Sequence, residues 1–280
     1  MSEATNNLKL SFLGAGSMNG AILRGIIASG HDPKLITATV RSDKRAAELR
    51  ELGINVLVSE QDPEANRKAA AATDIIFLGV KPVGITELCD EISGALTAEK
   101  VVVSVAAAIT LESMQAHLPA DQPVIRSMPN TPLLVGAGVV GISPAASVSD
   151  EQTRLVTELL SGSGDVHVIE EEQQNALSAI SGSGPAYAFY LAEAMANAGV
   201  AMGLDEKLAI DLARATVAGA GKMLSDPQAI PGELRKAVTS PKGTTEQAIK
   251  TFDEQGIPKI IAAGTQAAAA RAAQLSDELG

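Results

Sequence analysis

The chain has 280 residues, of which 46% are hydrophobic, and a formal net charge of −11 at pH 7. This length is sufficient for two ordinary domains, and the negative charge argues against nucleic-acid and anionic-membrane partners. Cys89 is the only cysteine, so no intramolecular disulfide and no thiolate metal cluster can form. No apolar run approaches the roughly 20 residues of a membrane-spanning helix. We therefore expect a cytoplasmic protein without a bound metal, in which Cys89 is a buried filler residue.

Short apolar segments rich in β-branched residues recur in the first half of the chain and alternate with helical patterns. This alternation is typical of βαβ units in a mostly parallel sheet with helices on both faces. The predicted strands span residues 8–13, 35–40, 55–58, 74–80, 101–105, 123–128, 136–143 and 165–169. We therefore predict an α/β domain over residues 1–169.

Ala-rich helical periodicity replaces the strand pattern in the second half of the chain. The predicted helices span residues 171–180, 185–202, 205–224, 231–238, 244–255 and 258–279, which gives an all-α domain over residues 170–280. The segment 186–200 is apolar or small on nearly every face, apart from Glu193 and Asn197. A helix without a polar face must be covered, and a second copy of the chain is the expected cover.

The first predicted strand leads through a glycine turn into a predicted helix. In this setting Gly14 permits a tight turn, and Gly16 lets the backbone approach a pyrophosphate at the helix N-terminus. Asn19 takes the position of the third glycine in the dinucleotide-binding fingerprint, the glycine that allows close packing of the helix on the strand, and Gly20 follows one residue later. The pattern predicts a Rossmann-type doubly wound sheet that binds a dinucleotide.

The second predicted strand ends at Arg41 and Ser42, where a site for NAD usually carries an acidic residue. A cationic donor there suits the 2′-phosphate of NADP(H), although Asp43 tempers this preference and NADH stays an alternative. Lys44 and Arg45 are interpreted as a solvated helix face. Small residues after the fourth and fifth predicted strands leave room for a nicotinamide ring at the carboxyl edge of the sheet.

Residues 240–247 read Ser-Pro-Lys-Gly-Thr-Thr-Glu-Gln, a turn that opens a helix. Thr244 and Gln247 predict an N-cap with a capping box, and Gly256 predicts the end of the helix. The free N–H groups of such a helix start, with two threonine hydroxyls beside them, are suited to a carboxylate or a phosphate.

With these motifs, the chain resembles the pyrroline-5-carboxylate reductase family over essentially its whole length. The resemblance rests on residues 12–16, 80–82, 126–132, 181–187 and 240–245. In that family an all-α C-terminal dimerisation domain follows the Rossmann-type domain, and the substrate lies between one subunit's nucleotide domain and helices of the dimer. The resemblance implies NAD(P)H-dependent reduction of 1-pyrroline-5-carboxylate to L-proline by a homo-oligomer.

The resemblance also implies roles for individual residues. The pyrophosphate is expected at Leu13, Gly14, Ala15, Gly16, Ser17 and Met18. The adenosine ribose is expected near Arg41, Ser42 and Asn55, and the nicotinamide against Val80, Lys81, Pro82, Ala106 and Ala107. The substrate is expected at Glu171, Ser240, Gly243, Thr244 and Thr245. Two positions depart from the family, which usually has glycine where this chain has Lys242 and Ala108; the role of Lys242 stays open.

A cyclic imine can arrive protonated and electrophilic, so its reduction needs no strong acid from the protein. Thr245 is expected to orient the ring nitrogen, while proximity and preorganised electrostatics do the rest. Arg126 is interpreted as a structural ion pair rather than a carboxylate clamp. No catalytic role is expected for His31, His117, His167 and Lys222. The alternatives are a related imine or 3-hydroxyacid reductase, and a non-catalytic NADP-binding sensor.

Overall fold

The computed structural model describes residues 2–279, and its central feature is one eight-stranded sheet. The strands lie across it in the order β3-β2-β1-β4-β5-β6-β7-β8. Neighbouring strands are parallel except β6 and β7, which are antiparallel. The predicted strands are confirmed, with ends shifted by at most two residues: β1 Leu10–Leu13, β2 Ile36–Val40, β3 Asn55–Val58, β4 Ile75–Leu78, β5 Val101–Ser104, β6 Val124–Pro129, β7 Gly138–Pro144 and β8 Gly164–Val168.

Residues 2–279 contain thirteen α-helices, and the helices predicted from residue 185 onward are confirmed. Residues 171–180, predicted as one helix, instead form a 3-10 turn, the short helix α8 and a π-helical turn, because the Ser-Gly-Ser-Gly sequence that follows has low helix propensity. The helices are α1 Glu3–Asn6, α2 Ser17–Ala28, α3 Asp43–Arg50, α4 Ala65–Ala71, α5 Ile85–Ser93, α6 Leu111–Gln115, α7 Asp150–Ser161, α8 Gln174–Leu177, α9 Gly184–Ala201, α10 Glu206–Leu224, α11 Pro231–Ala237, α12 Thr244–Glu254 and α13 Ile257–Leu279.

The two faces of the sheet carry separate hydrophobic clusters. Phe12 and Phe77 belong to one cluster and stack at 4.6 Å between ring centroids, whereas Leu13 and Leu78, one residue further along each strand, belong to the other. Alternate residues of a strand point to opposite faces, so apolar residues at every position require both faces to be covered. Cys89 belongs to the second cluster, and burial raises the pKa of its thiol to about 12. It is a buried, unreactive residue, as expected.

The order of the central strands creates a crevice at one edge of the sheet. Chain connections run in one direction from β1 to β2 and β3, and in the other from β4 to β5 and β6. The reversal between β1 and β4 separates the loops that follow these strands, and open parallel sheets bind their ligands at this point.

The chain forms two compact units. The first comprises residues 2–182 and 269–279 and contains the whole sheet. It extends beyond residue 169, where the sequence predicted the boundary, because the segment after β8 packs on the sheet. Gln174 is 1% exposed, and its Nε2 donates to Ser143 Oγ of β7 at 2.8 Å.

The second unit, Ser183–Ala268, is helical. Its helices α9 and α10 pack on each other through small residues, since a Cβ added at Gly199 would lie 3.2 Å from the Cβ of Ala209. Other faces of α9 remain uncovered within the chain, with Phe189 69% and Tyr190 72% exposed. The expectation that this helix needs a cover from outside its own chain is consistent with these values. Among residues 2–279, no helix is long and apolar enough to cross a membrane.

Candidate active site

The glycine loop between β1 and α2 lies against the end of β4. Gly14 has φ +74°, and a Cβ there would lie 2.7 Å from Val80 Cγ1 and 3.1 Å from Val80 N, so only glycine fits. Thr39 of β2 holds the loop, accepting from Gly14 N through Oγ1 at 3.0 Å and from Ala15 N through its carbonyl at 2.8 Å. Gly16 is the N-cap of α2 and has no side chain to accept from the first-turn N–H groups. The loop thus leaves the start of α2 open to an anion.

Asn19 fastens the ends of β1 and β4 together. Its side chain is fully buried, and Nδ2 donates to Leu13 O at 3.3 Å and to Phe77 O at 3.4 Å. A Cβ on Gly79 would overlap the Asn19 amide. The close packing that a third fingerprint glycine would allow is therefore made by an Asn–Gly pair, with the glycine directly after β4 rather than on the helix.

At the end of β2, Arg41 is paired with Glu60, the second residue after β3. Arg41 Nε lies 3.3 Å from Glu60 Oε1, and the two side chains are 90% and 56% exposed. Ser42 is the N-cap of α3, and its hydroxyl makes no capping hydrogen bond. Both residues lie at the carboxyl edge of the sheet, beside the glycine loop. An exposed guanidinium and an open helix start suit a phosphate monoester.

Arg45 is not a solvated residue of α3, contrary to the interpretation from the sequence. Its side chain is 35% exposed and reaches back over the glycine loop, where Nε donates to Ala15 O at 3.3 Å and Nη2 to Gly16 O at 3.5 Å. A Cβ on Gly20 would lie 2.9 Å from Arg45 Nη2. Arg45 therefore places a positive charge on the loop that is expected to hold the pyrophosphate.

Asn55 lies at the opposite edge of the sheet. It is the first residue of β3, pairs with Thr37, and donates through Nδ2 to Lys34 O at 3.2 Å. Arg41 is four residues beyond Thr37, or about 13 Å at the usual rise of about 3.3 Å per strand residue. The prediction that Asn55 lies near the adenosine ribose is therefore wrong. Glu60, whose N–H donates to Arg41 O at 3.3 Å, takes that position.

The residues expected to flank the nicotinamide follow β4 and β5, which are adjacent parallel strands. Val80, Lys81 and Pro82 lead into a 3-10 turn, Pro82–Gly84. Ala106 and Ala107 begin the segment 105–110 between β5 and α6, and Ala106 N donates to Ser104 Oγ at 3.3 Å. The fold thus brings both groups to the same edge of the sheet as the glycine loop.

Arg126 and Glu171 form an ion pair behind this segment, which confirms the interpretation of Arg126 as part of a structural pair. The distance from Arg126 Nη1 to Glu171 Oε1 is 3.0 Å, and the side chains are 8% and 28% exposed. The same carboxylate oxygen accepts from Leu111 N, the first residue of α6, at 2.8 Å. Glu171, predicted at the edge of a substrate pocket, is therefore engaged with its own chain.

In the second unit, the helix start at residues 240–247 has a different cap from the one predicted. Gly243, in extended conformation, is the N-cap of α12, and Thr244 is its first residue, so the predicted capping box of Thr244 and Gln247 is wrong. Lys242 has φ +61°, and its N–H donates to Glu246 Oε2 at 2.7 Å. This left-handed turn sets the start of α12 one residue earlier than a Thr244 cap would.

The corrected cap leaves the helix start open. Gly243 has no side-chain acceptor for the first-turn N–H groups, and Gly243 N donates to Ser240 O at 3.0 Å to close the preceding turn. Within residues 2–279, the hydroxyls of Thr244 and Thr245 make no hydrogen bond. Thr245 is half-buried and Thr244 is exposed. One turn therefore offers backbone donors and two hydroxyls to an anionic ligand.

The histidines and Lys222 do not belong to the sets of candidate site residues described above. His117 Nδ1 lies 3.0 Å from the Asp90 carboxylate on the surface, His31 is buried in the loop after α2, and Lys222 is exposed. Sequence reasoning missed Arg45, Asn19 and Gly79. The only signal for the last two was the replacement of the third fingerprint glycine by an amide.

Two family models match the chain, and together they span both halves of it. The model described as "NADP oxidoreductase coenzyme F420-dependent" matches residues 9–108, and the model described as "Pyrroline-5-carboxylate reductase dimerisation" matches residues 171–275. The first covers the glycine loop and the ends of β2, β4 and β5. The second covers Glu171 and the start of α12.

Relatives and solved structures agree with these matches. Pyrroline-5-carboxylate reductase of Corynebacterium melassecola is 40% identical over 97% of this chain and 98% of its own, and that of Pseudomonas aeruginosa is 38% identical over the same shares. The structure of a pyrroline-5-carboxylate reductase from Coxiella burnetii has a TM-score of 0.90 at 34% identity, covering 96% of this chain and 98% of its own. The Plasmodium falciparum pyrroline carboxylate reductase, crystallised with NADP bound, has a TM-score of 0.82 at 25% identity, covering 97% and 99%. The chain belongs to the pyrroline-5-carboxylate reductase family.

Proposed function

We propose that this protein reduces the C=N bond of 1-pyrroline-5-carboxylate to give L-proline, the final step of proline biosynthesis, with NADPH as the preferred hydride donor and NADH as an alternative. The observation that carries the proposal is the full-length similarity to pyrroline-5-carboxylate reductases, which extends over both units of the chain. The reaction consumes one hydride and one proton, and the proton is already on the ring nitrogen of the iminium form.

The first unit has the features that a dinucleotide requires. Gly14 has no room for a Cβ, Gly16 leaves the start of α2 uncapped, and Arg45 and Arg41 supply positive charge on either side of the loop. A pyrophosphate on the glycine loop, a 2′-phosphate at Arg41 and Ser42, and a nicotinamide between Val80–Pro82 and Ala106–Ala107 fit this edge of the sheet. The bound cofactor supplies the hydride.

The second unit supplies the anchor for the substrate. The open start of α12 holds the remote carboxylate through the N–H groups of Thr244 and Thr245, while the bond from Gly243 N to Ser240 O fixes the turn before them. The Thr245 hydroxyl orients the ring nitrogen. Catalysis then depends on holding the electrophilic carbon at the hydride donor, which is positioning rather than acid catalysis.

A homodimer and a cytoplasmic location are part of the proposal. The matched family model describes a dimerisation region, and α9 and α10 expose large apolar side chains that a second copy of the chain would cover. These include Phe189, Tyr190, Leu191, Ile210 and Leu212. Exposed apolar surface of this extent is typical of an obligate interface. The single buried cysteine suits a reducing compartment.

The reaction is tested by following NADPH or NADH consumption with 1-pyrroline-5-carboxylate, a six-membered cyclic imine and a 2-oxoacid as substrates. We expect turnover of the five-membered imine with NADPH favoured over NADH. Turnover of the six-membered imine alone would move the assignment to another imine reductase. NADPH binding without turnover of any substrate would favour a non-catalytic sensor.

The role of Thr245 is tested by the Thr245→Val substitution, which removes the hydroxyl and keeps the shape. We expect kcat to fall by about tenfold to a hundredfold while the Kd for NADPH is unchanged. Thr245→Ser retains the hydroxyl and should retain most of the activity. Thr251→Val is the matched control, because Thr251 is on the same helix and its hydroxyl donates to Gln247 O at 2.9 Å. Equal activity of the Thr245→Val protein would exclude the assigned role.

A further inference from the structure

The segment between β5 and α6 is held in a strained conformation at the edge where the nicotinamide is expected. Ala108 has φ +70°, in the left-handed region that L-residues other than Asn and Asp rarely adopt. Strain of this kind persists only where the surroundings impose it. The surroundings of residues 105–110 must therefore contain contacts that hold this conformation.

Packing holds part of the segment, since Val105, Ala106, Ala108 and Ile109 are each at most 8% exposed. A cavity of about 60 Å³ lies against Ala106, Ala107 and Ala108 on the side of Arg126 and Gln174. The alanines have short side chains that leave this space unfilled, so the packing behind them is incomplete. Polar contacts at the two ends of the segment add a second restraint.

Two such contacts are present. At the β5 end, Ser127 Oγ donates to Ser104 O at 2.9 Å, and Ser104 Oγ accepts from Ala106 N at 3.3 Å. At the α6 end, Leu111 N donates to Glu171 Oε1 at 2.8 Å. Thr110 caps α6 by accepting from Ser113 N, so the N–H of Leu111 is left for Glu171. The second contact crosses 60 residues of sequence and joins the segment to the turn after β8.

Glu171 is itself fixed by a buried cation. Arg126 is 7% exposed, and its Nη1 lies 3.0 Å from the oxygen that accepts from Leu111 N. A guanidinium buried to this extent requires a charged partner, which locks the position of the carboxylate. Arg126 of β6 therefore fixes the position of the Glu171 carboxylate, and the same oxygen accepts from Leu111 N at the start of α6.

We propose that Glu171 is a positioning residue for hydride transfer: held by Arg126, it fixes residues 105–110, and with them Ala106 and Ala107, where they form the face that the nicotinamide packs against. The proposal rests on the proposed function and deepens it. It gives Glu171 a role beyond the one expected at the edge of the substrate pocket, because Oε1 is bound by both Arg126 and Leu111.

The test compares Glu171→Ala and Glu171→Gln with Glu172→Gln, an exposed neighbour on the same turn. We measure the Kd of NADPH by its fluorescence in the absence of substrate, and kcat and KM for 1-pyrroline-5-carboxylate with NADPH saturating. For Glu171→Ala we expect the Kd of NADPH to rise about tenfold and kcat to fall about tenfold, with KM for the imine changed less than twofold. Glu171→Gln should show a smaller change, about threefold, because an amide oxygen still accepts from Leu111 N. Glu172→Gln should match the unmodified protein.

A second substitution separates positioning from loss of structure. Glycine adopts φ +70° without strain, so Ala108→Gly in the Glu171→Ala background should recover about fivefold of the lost NADPH affinity. A general loss of folding would not be repaired by glycine. If the Glu171→Ala protein does not fold, the same comparison of NADPH affinity is made between the Glu171→Gln protein and the Glu171→Gln, Ala108→Gly protein.

Two results would overturn the proposal. A tenfold rise in KM for the imine with an unchanged Kd for NADPH would make Glu171 a substrate-binding residue. An unchanged Kd for NADPH in both Glu171 variants would mean that the segment does not need this contact. If the unmodified protein binds NADPH but does not turn over the imine, the proposed function fails while the NADPH measurements still decide the role of Glu171.

Discussion

Adding a methyl group at Gly14, Gly16 or Gly30 separates the steric demands of the fold from those of the cofactor. Gly14 has φ +74° and a Cβ position 2.7 Å from Val80 Cγ1. Gly30 has φ +99° and nothing within 4 Å of its Cβ position. Gly16 has φ −75° and its nearest neighbour at 4.0 Å. A methyl group at Gly14 therefore causes both backbone strain and steric overlap, at Gly30 it causes backbone strain alone, and at Gly16 it causes neither.

The expected free energies of unfolding follow from these geometries. A left-handed conformation costs an alanine about 1–2 kcal/mol. Overlap with Val80, whose backbone N lies 3.1 Å from the added Cβ, costs about 1–3 kcal/mol more. We expect Gly14→Ala to lose about 2–5 kcal/mol, Gly30→Ala about 1–2 kcal/mol and Gly16→Ala at most about 1 kcal/mol, the last because glycine is a better N-cap than alanine. The entropic effect of replacing glycine in the unfolded chain is common to all three and cancels from the differences.

Cofactor affinity should follow a different order. A methyl group at Gly16 projects where the pyrophosphate approaches the start of α2, so Gly16→Ala should raise the Kd of NADPH at least about tenfold, or about 1.4 kcal/mol, although it is the least destabilising of the three substitutions. Gly30→Ala should bind NADPH normally. Urea unfolding and NADPH fluorescence measure the two quantities. Normal NADPH binding by the Gly16→Ala protein would refute the placement of the pyrophosphate, and equal stability of the Gly14→Ala and Gly30→Ala proteins would refute the steric argument.

Three further outcomes test other parts of the molecule. Arg41→Ala should weaken NADPH binding about tenfold without changing NADH binding. Glu60→Gln removes the carboxylate paired with Arg41 and should strengthen NADPH binding. Measurement of the Kd of each variant for both cofactors tests these two expectations. Burial lowers the pKa of His31 from its ordinary value of 6.5, so the unfolded chain binds a proton more readily than the folded chain. The free energy of unfolding should therefore decline as the pH falls below about 6.5. Tm measured between pH 8 and pH 5 should show a smaller decline for the His31→Phe protein. Tyr190→Glu places a charge on the exposed face of α9 and should shift the dimer toward monomer in light scattering, while Glu193→Gln on the same helix should not.

The fold was predictable because its signal is local and repeated. Strand segments such as 75–78 are apolar at consecutive positions, which requires cover on both faces and hence a parallel sheet between helices. The carboxyl edge then collects whatever follows each strand, so Gly14, Arg41, Val80 and Ala106 could be assigned to one site without knowledge of any distance. Strand order and register were not needed for that step.

The residues that sequence reasoning misplaced depend on contacts far apart in the chain or on position within an element. Asn19 bonds to Phe77 O across 58 residues, and Arg45 reaches Gly16 O across 29. The periodicity of apolar residues along the sequence does not indicate such contacts. Asn55 is different, because the first residue of any parallel strand lies at the amino edge, and the predicted strand already began at residue 55. The position of Asn55 could therefore be inferred from the sequence. The role that the family resemblance implied for Asn55 was given precedence over that inference.

The correction at residue 244 bears on chemistry as well as on geometry. A threonine N-cap would have used its own hydroxyl to accept from a first-turn N–H, and that donor would then be lost to a ligand. With Gly243 as the cap, the N–H donors of the first turn and the hydroxyls of Thr244 and Thr245 are all available to a ligand. The same holds at Gly16, where the cap of α2 is again a glycine. In contrast, α6, α7 and α10 are capped by the side chains of Thr110, Ser149 and Asp205, and no ligand is expected at any of them. Anions are assigned to the starts of α2, α3 and α12, and at each of them the N-cap residue makes no side-chain hydrogen bond that would compete with the ligand.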